Sequence, residues 1–151
     1  MNPRRATGDD APELARLRGV MFASLGPVPD GPWFQESAAA FADRLEYDPA
    51  FAAFVIDDGA GRLLSCAIGV YTPLLPSPRA RAANIGHILS VATDLEHRSR
   101  GHARACVAAV MGWLAERDCG HIQLRASSEG QSLYVGLGFE IVNDVFMIWR
   151  P

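Results

Sequence analysis

Apolar positions recur along this chain at two periods, near 3.6 and near 2, and the switches between them lay out the elements. Arg4 to Thr7 reads as a short first strand, held late or at an edge by Pro3, which has no N–H to donate. Asp10-Ala11-Pro12-Glu13 reads as a capped helix start, with Asp10 as N-cap and Glu13 at N3. Leu14, Leu17 and Met21 give that helix its inner face, and it ends near Ser24 to Gly26. Pro27 to Pro32 is a turn-rich connection. Phe34, Ala38, Phe41 and Leu45 then mark a second helix over 34–47, stopped by Asp48-Pro49. Phe51 to Ile56 and Arg62 to Tyr71 read as strands joined by the hairpin turn Asp57-Asp58-Gly59-Ala60-Gly61. Thr72 to Ala83, with three prolines and two arginines, reads as a long loop. Asn84 to Thr93 is a strand, with Gly86 as a bulge or close-approach point.

The second half alternates strand and helix. Ala103, Val107, Val110, Met111 and Leu114 fall on one helical face over 101–116, which Asp118-Cys119-Gly120 closes. His121 to Arg125 reads as a short strand and Ser127 to Leu137 as a short helix ending at Gly138. Phe139 to Trp149 reads as a final strand, interrupted at Asn143-Asp144. The order β-α-α-β-β-β-α-β-α-β implies an α/β architecture, a mixed sheet flanked by helices, in one domain over 1–151.

Composition narrows the function classes. Hydrophobic residues are 49% and charged residues 21%, ordinary for a globular protein. A net charge of −3 disfavours a general nucleic-acid binder. No apolar run approaches the ~20 residues of a membrane span. MNPRRATGDD lacks the apolar stretch of a secretory signal. Cys66, Cys106 and Cys119 have no metal-ligand spacing, so no metal is expected. The odd count without C-x-x-C points to reduced, packed thiols in a cytoplasmic protein.

The residues richest in chemistry are Arg98-Ser99-Arg100-Gly101-His102-Ala103-Arg104. They lie between a strand and the 101–116 helix. A helix that opens at a glycine turn presents unpaired N–H groups and a partial positive charge, which suits a phosphate or pyrophosphate. Gly101 and Ala103 keep the approach clear, and Arg98, Arg100 and Arg104 add charge, with no carboxylate from 97 to 115. A plain helix start with solvated arginines fits the same residues. The segment has neither the Gly-Lys-Ser/Thr of a nucleotide P-loop nor G-x-G-x-x-G, which disfavours a nucleotide-binding protein.

Arg98-x-x-Gly101-x-Ala103, the later Leu133-Tyr134-x-x-Leu137-Gly138-Phe139 and the element order together resemble the GNAT superfamily of acetyl-CoA-dependent N-acetyltransferases. The first segment is similar to that family's Q/R-x-x-G-x-G/A signature and the second to its L-Y-x-x-L-G-F segment. Residues 1 to 83 match only in element pattern. The resemblance implies a mixed, mostly antiparallel central sheet flanked by helices and acetyl-CoA as co-substrate. It implies backbone pairing of pantetheine along Val91 and Thr93, and pyrophosphate held by the amides from Ser99 to Arg104. It also implies that Tyr134 protonates the leaving thiolate. A glutamate base eleven residues before the signature in some relatives falls here on His87, which can accept a proton at pH 7. Glu46 and Asp94 are further base candidates, and His97 and His102 face solvent or coenzyme phosphate. Two departures stand out. Ser127 replaces an asparagine six residues before Leu133, and Leu95 replaces a proline three residues before Arg98.

The reading is a single-domain N-acetyltransferase acting on a primary amine, small molecule or peptide, by direct transfer in a ternary complex. The alternative is a non-catalytic acyl-CoA-binding sensor or regulatory module. No nucleic-acid or membrane partner is expected, and the sequence leaves monomer or homodimer open. Residues 23–36 and 72–83 are expected to shape the acceptor pocket. Asp30, Glu36, Asp43, Glu46 and Asp48, against Arg44 alone, suggest an acidic rim favouring cationic amines.

Overall fold

A computed structural model describes all of residues 1–151. Five strands form one sheet in sequence order: β1 (Arg4–Arg5), β2 (Phe51–Asp57), β3 (Leu63–Pro73), β4 (Asn84–Thr93) and β5 (Cys119–Gln123). β1 to β4 are antiparallel neighbours, and β5 lies parallel to β4. This is the mixed, mostly antiparallel sheet flanked by helices that the sequence implied. α1 (Ala11–Ala23) and α2 (Trp33–Tyr47) pack on one face; α3 (His102–Ala115) packs on the other, with α4 (Gln131–Gly136) following β5.

Each sheet face carries its own core, as period-2 alternation requires. Leu63, Cys66 and Ile68 of β3 meet Leu14 and Leu17 of α1 and Phe41 of α2. Leu64 and Ala67 meet Cys106, Val107, Val110 and Leu114 of α3. Because both faces are covered, β2 and most of β3 are buried at nearly every position. At Gly69 the approach of α3 is so close that a Cβ would sit 2.5 Å from Val110 Cγ1. At Gly86 one would sit 2.9 Å from Leu114 Cδ1, which is the close approach anticipated for that glycine.

Several local details differ from expectation. The chain enters α1 through a 3-10 turn, Gly8–Asp10, and the Asp10 carboxylate accepts the Thr7 N–H at 2.8 Å, so the box lies one turn earlier than predicted. Glu13 instead accepts from Arg16 at 2.8 Å and from the Leu63 N–H at 2.9 Å, tying α1 to β3. Phe34, placed on the inner face of the second helix, is 37% exposed, and Trp33 turns inward in its stead. The helix before Gly138 is shorter than 127–137. Residues 139–149 form no strand. Their last backbone bond is Phe139 N–H to Tyr134 O at 3.0 Å, and from Glu140 onward no backbone group pairs. A strand exists only through hydrogen bonds to a neighbour, and this segment makes none, although β5 ends the sheet with an open edge.

Candidate active site

Two irregularities in β4 create the site. β4 and β5 pair only as far as His87↔Gln123, so from Ile88 to Thr93 the β5-side edge of β4 has no strand beside it. On the other edge, Ala67 opposes Val91 and Gly69 opposes Ile88, so Leu89 and Ser90 together face Ile68 in a bulge. The bulge turns both residues toward α1 and α2, where they enter a cavity wall. The open edge and the cavity therefore meet at Leu89 and Ser90. Val91 and Thr93, named from the sequence, lie on the unpaired stretch; the Thr93 hydroxyl is tied to Ser65 Oγ at 2.8 Å.

Beyond Thr93 the chain passes a 3-10 turn, Leu95–His97, and reaches α3 through two left-handed residues, Ser99 at φ 60° and Gly101 at φ 80°. The first N–H of α3 to find a backbone carbonyl is that of Ala105, bonded to Gly101 O at 3.0 Å. The six preceding amides, Ser99 to Arg104, donate to nothing within the chain. They stand at the positive end of a 14-residue helix. A Cβ built on Gly101 would meet nothing within 4 Å, so the approach is open. The donor set therefore fits a pyrophosphate.

The three arginines there differ. Arg100 has no partner. Arg98 Nε donates to Thr93 O at 3.3 Å. Arg104 reaches across to Gly136 O at 3.2 Å and joins α3 to α4. His102 is held below its usual value by burial and by the charges of His97, the N-terminus and Arg100.

Tyr134 lies on α4, edge-on to Phe139 at 5.9 Å, with its side chain against the α3 core. Its hydroxyl bonds to no protein atom, and burial pushes the phenol up, which keeps its proton in place near neutral pH. Ser127 Oγ accepts the Gly130 N–H at 3.2 Å and closes the turn into α4. His87 is opposite Val70 on β4. Its neighbours Gly86 and Ile88 face α3, so its ring points to the α1–α2 face, on the cavity side but outside the cavity wall. The other base candidates are placed elsewhere. Asp94 is 5% exposed and bound by Arg16 at 2.7 Å and Arg62 at 3.0 Å. Burial alone would raise its carboxyl, but the two guanidinium groups outweigh that and hold it low. Glu46 is exposed on α2, away from the cavity. Cys66 and Cys106 are buried, and burial pushes both thiols up to about 12, as inert packed cysteines require.

The cavity encloses about 840 Å³ between α1, α2, the loop joining them and the β4 bulge. Its walls include Phe22, Trp33 and Phe41, with Arg18 and Ser90 at the bulge. Trp33 sets the loop: its indole N–H donates to Pro29 O at 3.0 Å, and its ring meets Phe22 edge-on at 6.0 Å. Of the 23–36 stretch, residues 25–29, 33 and 36 line the cavity, whereas no residue of 72–83 does. The acidic rim is narrower than expected. Of its five carboxylates only Glu36 borders the cavity, and Asp48 is paired with Arg44 at 3.0 Å. Arg18 and Ser90 were not anticipated. Each lies in an ordinary apolar run, and only the fold brings them together.

The chain matches the model of the acetyltransferase (GNAT) family over residues 19–139, and it belongs to that family. No curated protein sequence matches it. Among solved structures, a predicted acetyltransferase from Clostridium acetobutylicum, crystallised with acetyl-CoA, superposes with a TM-score of 0.84 at 20% identity, over 97% of this chain and 94% of that one. A GCN5-related N-acetyltransferase from Ralstonia eutropha JMP134 gives 0.78 at 25% identity, over 98% and 97%. Glucosamine-6-phosphate N-acetyltransferase from Arabidopsis thaliana gives 0.77 at 16%, over 99% and 98%.

Proposed function

We propose that this single-domain protein is an acetyl-CoA-dependent N-acetyltransferase that acetylates a primary amine by direct transfer in a ternary complex. The observation that carries the reading is the run of six unpaired amides, Ser99 to Arg104, opening α3 beside an unpaired edge of β4. The family membership and the acetyl-CoA in the Clostridium structure point the same way.

Acetyl-CoA supplies the activated thioester when bound. The 99–104 amides and Arg100 hold its pyrophosphate. The free edge of β4 around Val91 and Thr93 takes the pantetheine amides as a strand would, and the hydroxyl of Ser127, at the turn into α4, adds a coenzyme contact. The acceptor enters through the cavity, so its nitrogen reaches the thioester carbon near the bulge. A backbone N–H near Val91 steadies the oxyanion. His87 accepts the amine proton, directly or through water. Tyr134 keeps its phenolic proton for the departing sulfur.

Calorimetry of CoA with wild type and Gly101→Glu tests the reading. The substitution puts a carboxylate at a left-handed position in the cradle, and binding is expected to be lost. Unchanged CoA affinity would end the acetyltransferase reading. CoA binding with no turnover across an amine panel would favour the non-catalytic acyl-CoA-binding module.

A further inference from the structure

We infer that the acceptor is an α-amino acid with a large apolar side chain, its carboxylate held by Arg18. This rests on the acetyl-transfer reading and narrows its substrate. Arg18 donates from Nη1 to Ser90 Oγ at 2.6 Å and stacks on Phe22 at 4.8 Å from the ring centroid. No carboxylate pairs with it, in contrast to Arg16, Arg44 and Arg62. It is thus a guanidinium with an open side, in the wall of a cavity otherwise lined largely by apolar groups. A planar fork of this kind prefers a planar anion.

Position decides which anion. Ser90 is the bulge residue at which the cavity reaches the open edge of β4, the place where an acceptor nitrogen must arrive. An anion on Arg18 therefore lies close to the reacting amine, as the carboxylate of an α-amino acid does. The rest of the molecule then extends between Phe22, Trp33 and Phe41, where an apolar side chain loses water. In the step, the nitrogen lone pair bonds to the acetyl carbon and the carbon–sulfur bond breaks. The nitrogen loses one proton, the sulfur gains one, and the products are the N-acetylamino acid and CoA thiol.

The test compares kcat/KM for phenylalanine with that for phenethylamine, which lacks only the carboxylate. Wild type is expected to favour phenylalanine by about tenfold or more, the usual worth of a charge-assisted hydrogen bond. In Arg18→Met the ratio should fall to within about twofold through KM, and Arg18→Lys should recover part of it. Calorimetry of phenylalanine with the CoA-loaded protein reads the same site without turnover, and Arg18→Met should weaken binding there. Equal kcat/KM for both amines in wild type, or phenylalanine binding indifferent to Arg18→Met, overturns the inference while leaving acetyl transfer standing. Failure to bind CoA would instead strike the functional reading.

Discussion

A hydroxyl with no protein partner, on a ring whose burial raises its pKa, marks Tyr134 as the residue whose chemistry is most exposed to test. If it supplies the sulfur's proton, Tyr134→Phe should lower kcat by about 10²-fold and leave CoA affinity nearly intact, because the interaction belongs to the transition state. Rapid-mix turnover with parallel CoA calorimetry measures both, and an unchanged kcat reduces Tyr134 to packing against Phe139. Asp94 makes the opposite case. Its candidacy as a base came from sequence position alone. The structure spends its carboxylate on Arg16 and Arg62, which also fasten α1 and β3 near the start of the cradle. Asp94→Asn should destabilise the fold by about 2–3 kcal/mol, below the full cost of a broken buried pair because Arg62 is mostly exposed. Urea unfolding measures it.

At the scale of elements, the distance between α3 and the sheet decides where the cradle sits. Gly69 permits that distance, since Val110 Cγ1 would lie 2.5 Å from a Cβ there. Gly69→Ala should cost about 1–3 kcal/mol by overpacking. It should also weaken CoA binding by moving the start of α3 relative to β4. Thermal melts and calorimetry on the same variant separate the two effects; a variant of wild-type stability would mean that α3 yields without strain. Gly69 stands in an otherwise plain strand pattern, so the sequence offered no reason to single it out. Gly101 was legible, because a glycine opening an apolar helix implies a left-handed turn.

At the scale of the whole molecule, acid response follows from the carboxylates that bind α1 to the sheet. Glu13 is held low chiefly by its hydrogen bond to Arg16, against some burial, and Asp10 by its hydrogen bond to Arg4 in the same way. Asp94 is held low by Arg16 and Arg62 against the cost of burial. Groups with lowered folded pKa bind protons more readily when unfolded. Their stabilisation is complete above the unfolded carboxylate range of about pH 4–4.5 and disappears as pH falls through their folded values. Stability should therefore hold from pH 7 to about 5 and fall steeply below 4. The gap between wild type and Asp94→Asn should narrow over the same interval. A gap that is constant down to pH 2.5 would assign Asp94 a packing role.

The sequence by itself determined the order of most elements, the glycine turn, the run of amides and, through two spaced motifs, the family. These are local properties: a helical face, a hairpin with Gly59 and Gly61, or a helix start needs only near neighbours in the chain. The tertiary structure alone decided that Leu89 and Ser90 bulge, that β4 and β5 part after His87, and that Arg18 and Ser90, 72 positions apart, stand 2.6 Å from each other in one cavity wall. It also left residues 139–149 unpaired although their alternation is that of a strand. Alternation records a preference for a pleated, half-buried surface, while a strand exists only when a second backbone supplies its hydrogen bonds, and that partner is not written in the segment itself.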